Sequence, residues 1–182
     1  MPNSTGESDR RPATIIIREL TPIDLPAILE IQQAAREVAH WAAEDYGSLT
    51  REPGGLVLVA ASNHARATLG ATVGFAAARA IGAEAELQNL AVRTEYRRHG
   101  VARSLVEDLH RRLAAAGVER VCLEVRVSNL PARSLYRSFD YTECGLRRSY
   151  YASDGEDALV LELRLKRGAQ PPASAPTAMS GD

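Results

Sequence analysis

The chain has 182 residues, 45% of them hydrophobic and 25% charged, with a formal net charge of −1. That length fits one domain, and the apolar content supports a core without disulfides or a structural metal. Missing are the basic surplus of a general nucleic-acid binder and any run near the ~20 apolar residues of a membrane span.

Met1 to Pro12 is polar and lacks the apolar core of a signal peptide, and residues 168–182 are rich in Pro, Ala and Ser. Both ends read as unstructured tails (1–12 and 168–182) around one domain, 13–167, and the cytoplasm is the expected compartment. Thr14 to Leu20 is a β-branched strand. Asp24 reads as the cap of a helix with Leu25, Ile28, Leu29 and Gln32 at helical spacing and Pro26 in its first turn. A shorter helix is expected over Ala42 to Leu49. Leu56 to Ala61 and Ala71 to Arg79 predict a hairpin turning near Asn63 and His64, and Glu84 to Val92 returns as a fourth strand.

Gly100 opens an amphipathic helix with Ala102, Leu105, Val106, Leu109 and Leu113 on one face, and Gly117 ends it. Val118 to Val127 alternates as a strand, with Cys122, Glu124 and Arg126 opposite the valines and Leu123. Ser128 and Asn129 can cap a short helix carrying Ala132, Leu135, Tyr136 and Phe139. Tyr141 to Tyr151 and Ala158 to Leu165 close the chain as a hairpin around Ser153-Asp154-Gly155-Glu156. Cys122 and Cys144 lie in apolar runs and read as buried thiols of a reducing compartment. Strands interleaved with helices imply a mixed α/β sheet with helices on both faces.

The segment Glu95-Tyr96-Arg97-Arg98-His99-Gly100-Val101-Ala102 sits between a strand and a helix. A helix start exposes unpaired N–H groups at the positive end of its dipole, which suits a phosphate or pyrophosphate. Gly100 and Ala102 allow close approach, while Arg97, Arg98 and Arg103 add positive potential. A plain surface turn with solubilising arginines fits the same residues. Neither G-x-G-x-x-G nor a P-loop is present. His40, His64, His99 and His110 are scattered without ligand spacing, so no metal is expected.

Asn89-Leu90-Ala91-Val92 followed by Arg97-Arg98-His99-Gly100-Val101-Ala102 resembles the core motif of the GNAT superfamily of N-acetyltransferases. Further stretches are similar to the ribosomal-protein alanine N-acetyltransferase branch: Leu123 to Asn129, Ala132 to Tyr136, Arg147-Arg148-Ser149-Tyr150-Tyr151, and Asp154 to Ala158. The resemblance implies a mostly antiparallel sheet of about seven strands, splayed between the fourth and fifth. Acetyl-CoA would then be a co-substrate and not a tightly bound cofactor. Its arm would lie in the splay against backbone groups of Leu90, Ala91 and Val92, and its pyrophosphate on Arg97, Arg98, His99, Gly100, Val101 and Ala102. Asn129 matches a position near the coenzyme. Two departures stand out: Arg93-Thr94 replaces a common Asp-Pro, and Phe139-Asp140-Tyr141 replaces Leu-Gly-Phe.

Glu124 aligns with the family's proposed general base, and Tyr136 with its acid. The bland readings are a carboxylate paired with an arginine such as Arg126, and a packed ring. Cys122 has no histidine close in sequence to make it a nucleophile. Tyr150 and Tyr151 line either the acceptor cleft or the sheet. The expected acceptor is a protein N-terminus, with the N-terminal alanine of a small-subunit ribosomal protein as the specific case. Small amines and lysine side chains are the alternatives within the same chemistry, and a non-catalytic acetyl-CoA sensor is the alternative outside it. A monomer or weak dimer is expected, with no nucleic-acid or membrane partner.

Overall fold

The structure, a computed structural model, describes residues 14–35, 37–63 and 70–165. Both predicted tails and the expected turn at His64 lie outside them. Seven strands form one sheet in the order β1-β2-β3-β4-β5-β7-β6. They are β1 (Thr14–Glu19), β2 (Gly55–Asn63), β3 (Ala71–Ile81), β4 (Glu84–Val92), β5 (Arg120–Arg126), β6 (Thr142–Tyr151) and β7 (Glu156–Arg164). Every neighbouring pair is antiparallel except β4 and β5. The expected mixed, mostly antiparallel sheet is therefore present.

The helices α1 (Leu25–Gln33), α2 (Ala43–Arg51), α3 (Val101–Ala115) and α4 (Leu130–Arg137) cover both faces. On one side Ile28 and Ile31 of α1 and Tyr46 and Leu49 of α2 pack with Val57, Val59, Phe75, Ala77 and Ala91. On the other, Leu105, Val106, Leu109 and Leu113 of α3, with Tyr136 of α4, pack against Leu58, Ala76, Leu87, Val121, Leu123 and Val125. The central strands β2 and β3 are buried on both faces, which is why they read as continuous apolar runs. The apolar stripe of α3 covers the sheet, and Gly117 at φ 86° ends that helix as the left-handed residue.

Two readings are corrected. Asp24 does not cap α1, where no side-chain cap bond forms. Its carboxylate turns back to Arg18 at 2.7 Å, to Thr72 Oγ1 at 2.6 Å and to the Thr21 N–H at 2.9 Å. That set of donors holds it well below the usual carboxylate range despite its burial. The cysteines are free, but neither is fully enclosed: Cys122 is half-buried and Cys144 is exposed on the edge strand β6. An apolar run marks a strand but not what covers it, and among the described residues β6 is exposed from Thr142 to Tyr150.

Candidate active site

The strands β4 and β5 pair over Glu84↔Arg120 to Leu87↔Leu123 and no further. At that point β4 carries one extra residue, because Ala78 faces Leu87 while Ala77 faces Asn89, leaving Gln88 as a bulge. A bulge bends its strand and ends regular pairing. Beyond it Asn89–Val92 pair only with β3, and Glu124–Arg126 pair only with β7. The sheet thus opens between its fourth and fifth strands.

Register decides which main-chain groups face the opening. The Arg93 N–H bonds the Val73 carbonyl at 2.8 Å. Hydrogen-bonded and non-bonded pairs alternate along an antiparallel ladder, so Ala91 exchanges bonds with Phe75. Leu90 and Val92, and not Ala91, therefore direct main-chain groups toward the gap. The Val92 carbonyl already accepts from Arg97 Nε at 3.1 Å, which ties the following loop to the end of β4.

That loop leads into α3. Gly100 takes φ 81° and no side chain caps the helix. The first bond of the helix runs from the Ser104 N–H to the Gly100 carbonyl at 3.0 Å. The N–H groups of Val101, Ala102 and Arg103 precede that ladder and have no intrahelical acceptor. Arg97, Arg98, His99 and Gly100 are exposed. His99 Nδ1 lies 2.8 Å from the Arg97 carbonyl and so folds onto the turn. Arg103, expected to reinforce the turn, instead reaches Ser138 Oγ at 2.8 Å and stacks over Phe139.

Glu124 and Tyr136 occupy opposite faces. Val121, Leu123 and Val125 pack beneath α3, so Glu124 faces the α1–α2 side. Its carboxylate, with the side chain 14% exposed, meets Arg147 Nε at 2.8 Å. The Tyr150 hydroxyl also donates to it, and this bond is the first reason that the Tyr150 phenol is pushed up to about 12. An arginine does pair with Glu124, but it is Arg147. Arg126 binds Asp154 and Glu156, each at 2.8 Å, and lies 3.8 Å over the Tyr151 ring. Glu156 also takes the Ser128 N–H at 2.7 Å, and these donors bring its carboxyl down to about 2.

Tyr136 is buried among the side chains of the α3 core, its ring edge-on to Tyr141 at 5.5 Å. Burial raises its phenol strongly, and the nearby Tyr151 adds to this. Asn129 caps α4, its Oδ1 accepting the Ala132 N–H at 3.1 Å. Asp140 holds φ 66°, which asparagine and aspartate tolerate better than most residues. A concavity of about 310 Å³ is lined by Arg133, Arg137, Tyr141, Thr142, Glu143 and Leu161, none of them from β4 or the free end of β5. That hollow is separate from the opening in the sheet. Among the described residues no three His, Cys, Asp or Glu side chains gather as a metal site.

The sequence model of the acetyltransferase (GNAT) family matches residues 23–141. The chain belongs to the GNAT family of acetyltransferases. This GNAT chain is 36% identical over 149 residues, 81% of its length and 95% of the relative's, to the [ribosomal protein bS18]-alanine N-acetyltransferase of Escherichia coli. The crystal structure of the ribosomal-protein-S18-alanine N-acetyltransferase from Escherichia coli superimposes with a TM-score of 0.73 at 32% identity, covering 86% of this chain and 97% of that one. The Arabidopsis thaliana NAA60 complex with acetyl-CoA shares the fold, with a TM-score of 0.74 at 18% identity over 84% of this chain and 99% of that one. The GNAT chain is thus an acyltransferase enzyme of the N-acetyltransferase kind.

Proposed function

We propose that this enzyme moves acetyl from acetyl-CoA directly to a protein α-amino group, that of an N-terminal alanine on a small-subunit ribosomal protein, in the cytoplasm. The observation that carries the reading is the parting of β4 from β5 beside an uncapped helix start. The pantetheine arm would take the main-chain groups of Leu90 and Val92, with the Ala91 side chain packed behind them. The pyrophosphate would take the N–H groups of the Gly100–Ala102 turn, with Arg97, Arg98 and His99 around it and Asn129 at the neighbouring helix start. The acceptor is suggested by the relative's own substrate and by its 36% identity across most of both chains.

The opposed positions of Glu124 and Tyr136 fit an attack from one side of the sheet and a departure on the other. Glu124 takes one proton from the ammonium, and the neutral nitrogen adds to the thioester carbonyl carbon. The Val92 N–H faces the oxyanion. Collapse forms the amide and breaks the C–S bond; the Tyr136 hydroxyl gives its proton to the sulfur, and the nitrogen's second proton passes to water, from which the phenol is reprotonated. Burial keeps that phenol protonated, so it serves foremost as a hydrogen-bond donor to the developing thiolate.

Steady-state rates on peptides beginning with Ala, Ser or Met, set against small amines and a lysine peptide, test the reading. The alanine peptide is expected to lead the small amines by at least about tenfold in kcat/KM, roughly the discrimination one good substrate contact provides. Preference for small amines would refute the acceptor, and acetyl-CoA binding without turnover on any acceptor would refute the enzyme.

A further inference from the structure

Resting on that reading, the geometry points to Arg147 as a residue that sets acceptor specificity, its guanidinium holding on Glu124 the place that the acceptor's ammonium takes. Two side chains from β6 converge on this carboxylate: Arg147 Nε at 2.8 Å and the Tyr150 hydroxyl. On a regular strand, residues three apart face opposite ways. The register explains how both reach one group. Arg147 faces Ala158 and Tyr151 faces Glu156, so β6 uses residues 148–150 where β7 uses only 157. Within that wide bulge Ser149 takes φ 50° and its N–H is held by Asp157 Oδ1 at 2.8 Å. Bulges of this kind re-aim side chains beside functional sites.

The two ends of the ion pair differ. The Glu124 side chain is 14% exposed and fixed on a central strand, while Arg147 is 59% exposed on an edge strand. An ion pair whose cation end is this exposed contributes up to about fivefold in an equilibrium constant, weak enough for another cation to replace it. A free α-amino group, with a reference pKa near 8, is mostly cationic at neutral pH and compact enough to enter where the guanidinium withdraws. Asp154 and Glu156 are bound to Arg126 and Asp157 takes the Ser149 N–H, which leaves Glu124 as the carboxylate over which the two cations compete. An amine already acylated carries no charge and gains nothing from the exchange.

Calorimetric titration of the CoA-bound enzyme with a short alanine-initiated peptide, and with its N-acetylated form, tests this. Arg147→Ala is expected to tighten the free-amine peptide by about two- to fivefold and to leave the acetylated one unchanged. Arg147→Lys, which keeps the charge, falls between the two. In a Glu124→Gln background, Arg147→Ala changes nothing, since the competition is gone. Weaker binding of the free-amine peptide to Arg147→Ala, or equal tightening of both peptides, overturns the inference. Failure of the acceptor reading is seen separately, as no peptide binding to the wild-type enzyme.

Discussion

Glu124 and Tyr136 differ in surroundings as much as in role, and the difference makes their substitutions separable. Glu124 sits among polar partners on the α1–α2 side, and its work is greatest when the amine arrives protonated. Glu124→Gln is therefore expected to lower turnover most at low pH, steepening the acid side of the profile. Tyr136 is buried, with its ring against Tyr141, and Tyr136→Phe keeps that contact while deleting only the hydroxyl. Since burial holds the phenol protonated throughout the working range, its loss lowers kcat by roughly ten- to a thousandfold with little change in pH dependence. The pH–rate profiles of both variants on the alanine peptide check this, and wild-type profiles in both would remove the two roles. The partners of Glu124 were only partly legible beforehand. Arg147 and Tyr150 stand in a recognisable motif, but strand periodicity sends residues three apart to opposite faces.

The start of α3 is where backbone conformation and ligand binding meet. A Cβ at Gly100 would meet nothing within 4 Å, so alanine there is resisted by the left-handed φ of 81° and not by crowding. Gly100→Ala should cost about 1 kcal/mol of stability. Saturating acetyl-CoA, at a hundred times its dissociation constant, should stabilise the wild type by about 2.7 kcal/mol. At the same ligand concentration the variant gains less, because its turn no longer offers the same N–H groups. Thermal unfolding with and without acetyl-CoA measures both effects, and an undiminished ligand gain in the variant would separate this turn from the pyrophosphate. Elements of this kind were readable because their signals are local: the α3 stripe, Gly117 at its end, Asn129 before α4. Bulges at Gln88 and at residues 148–150 were not, since they exist only in the register between strands. Asp24 escaped in part for a related reason: Thr72, one of its three partners, lies 48 residues away.

At the scale of the molecule, the two helical layers are joined through the sheet, and one half-buried histidine reports on how firmly the second layer is held. His110 of α3 packs edge-on to Phe139 at 5.5 Å and lies 2.8 Å from the Tyr141 hydroxyl, where α4 leads into β6. Burial lowers its pKa to about 4 from an ordinary 6.5. The folded protein therefore binds fewer protons than the unfolded chain between those values, and stability falls as pH drops through that window. At pH 5 the expected loss is about 1–2 kcal/mol relative to pH 7.5, where the histidine is neutral in both states. The buried Asp24 and the turn residue Glu156 act elsewhere. Their carboxyls are depressed, so their stabilisation persists above the ordinary carboxylate range and fades only in stronger acid. His110→Gln keeps a polar group near Tyr141 but cannot take up the proton. Its urea midpoints at pH 7.5 and pH 5 should differ less than those of the wild type, and an unchanged difference would mean that another group drives the acid loss.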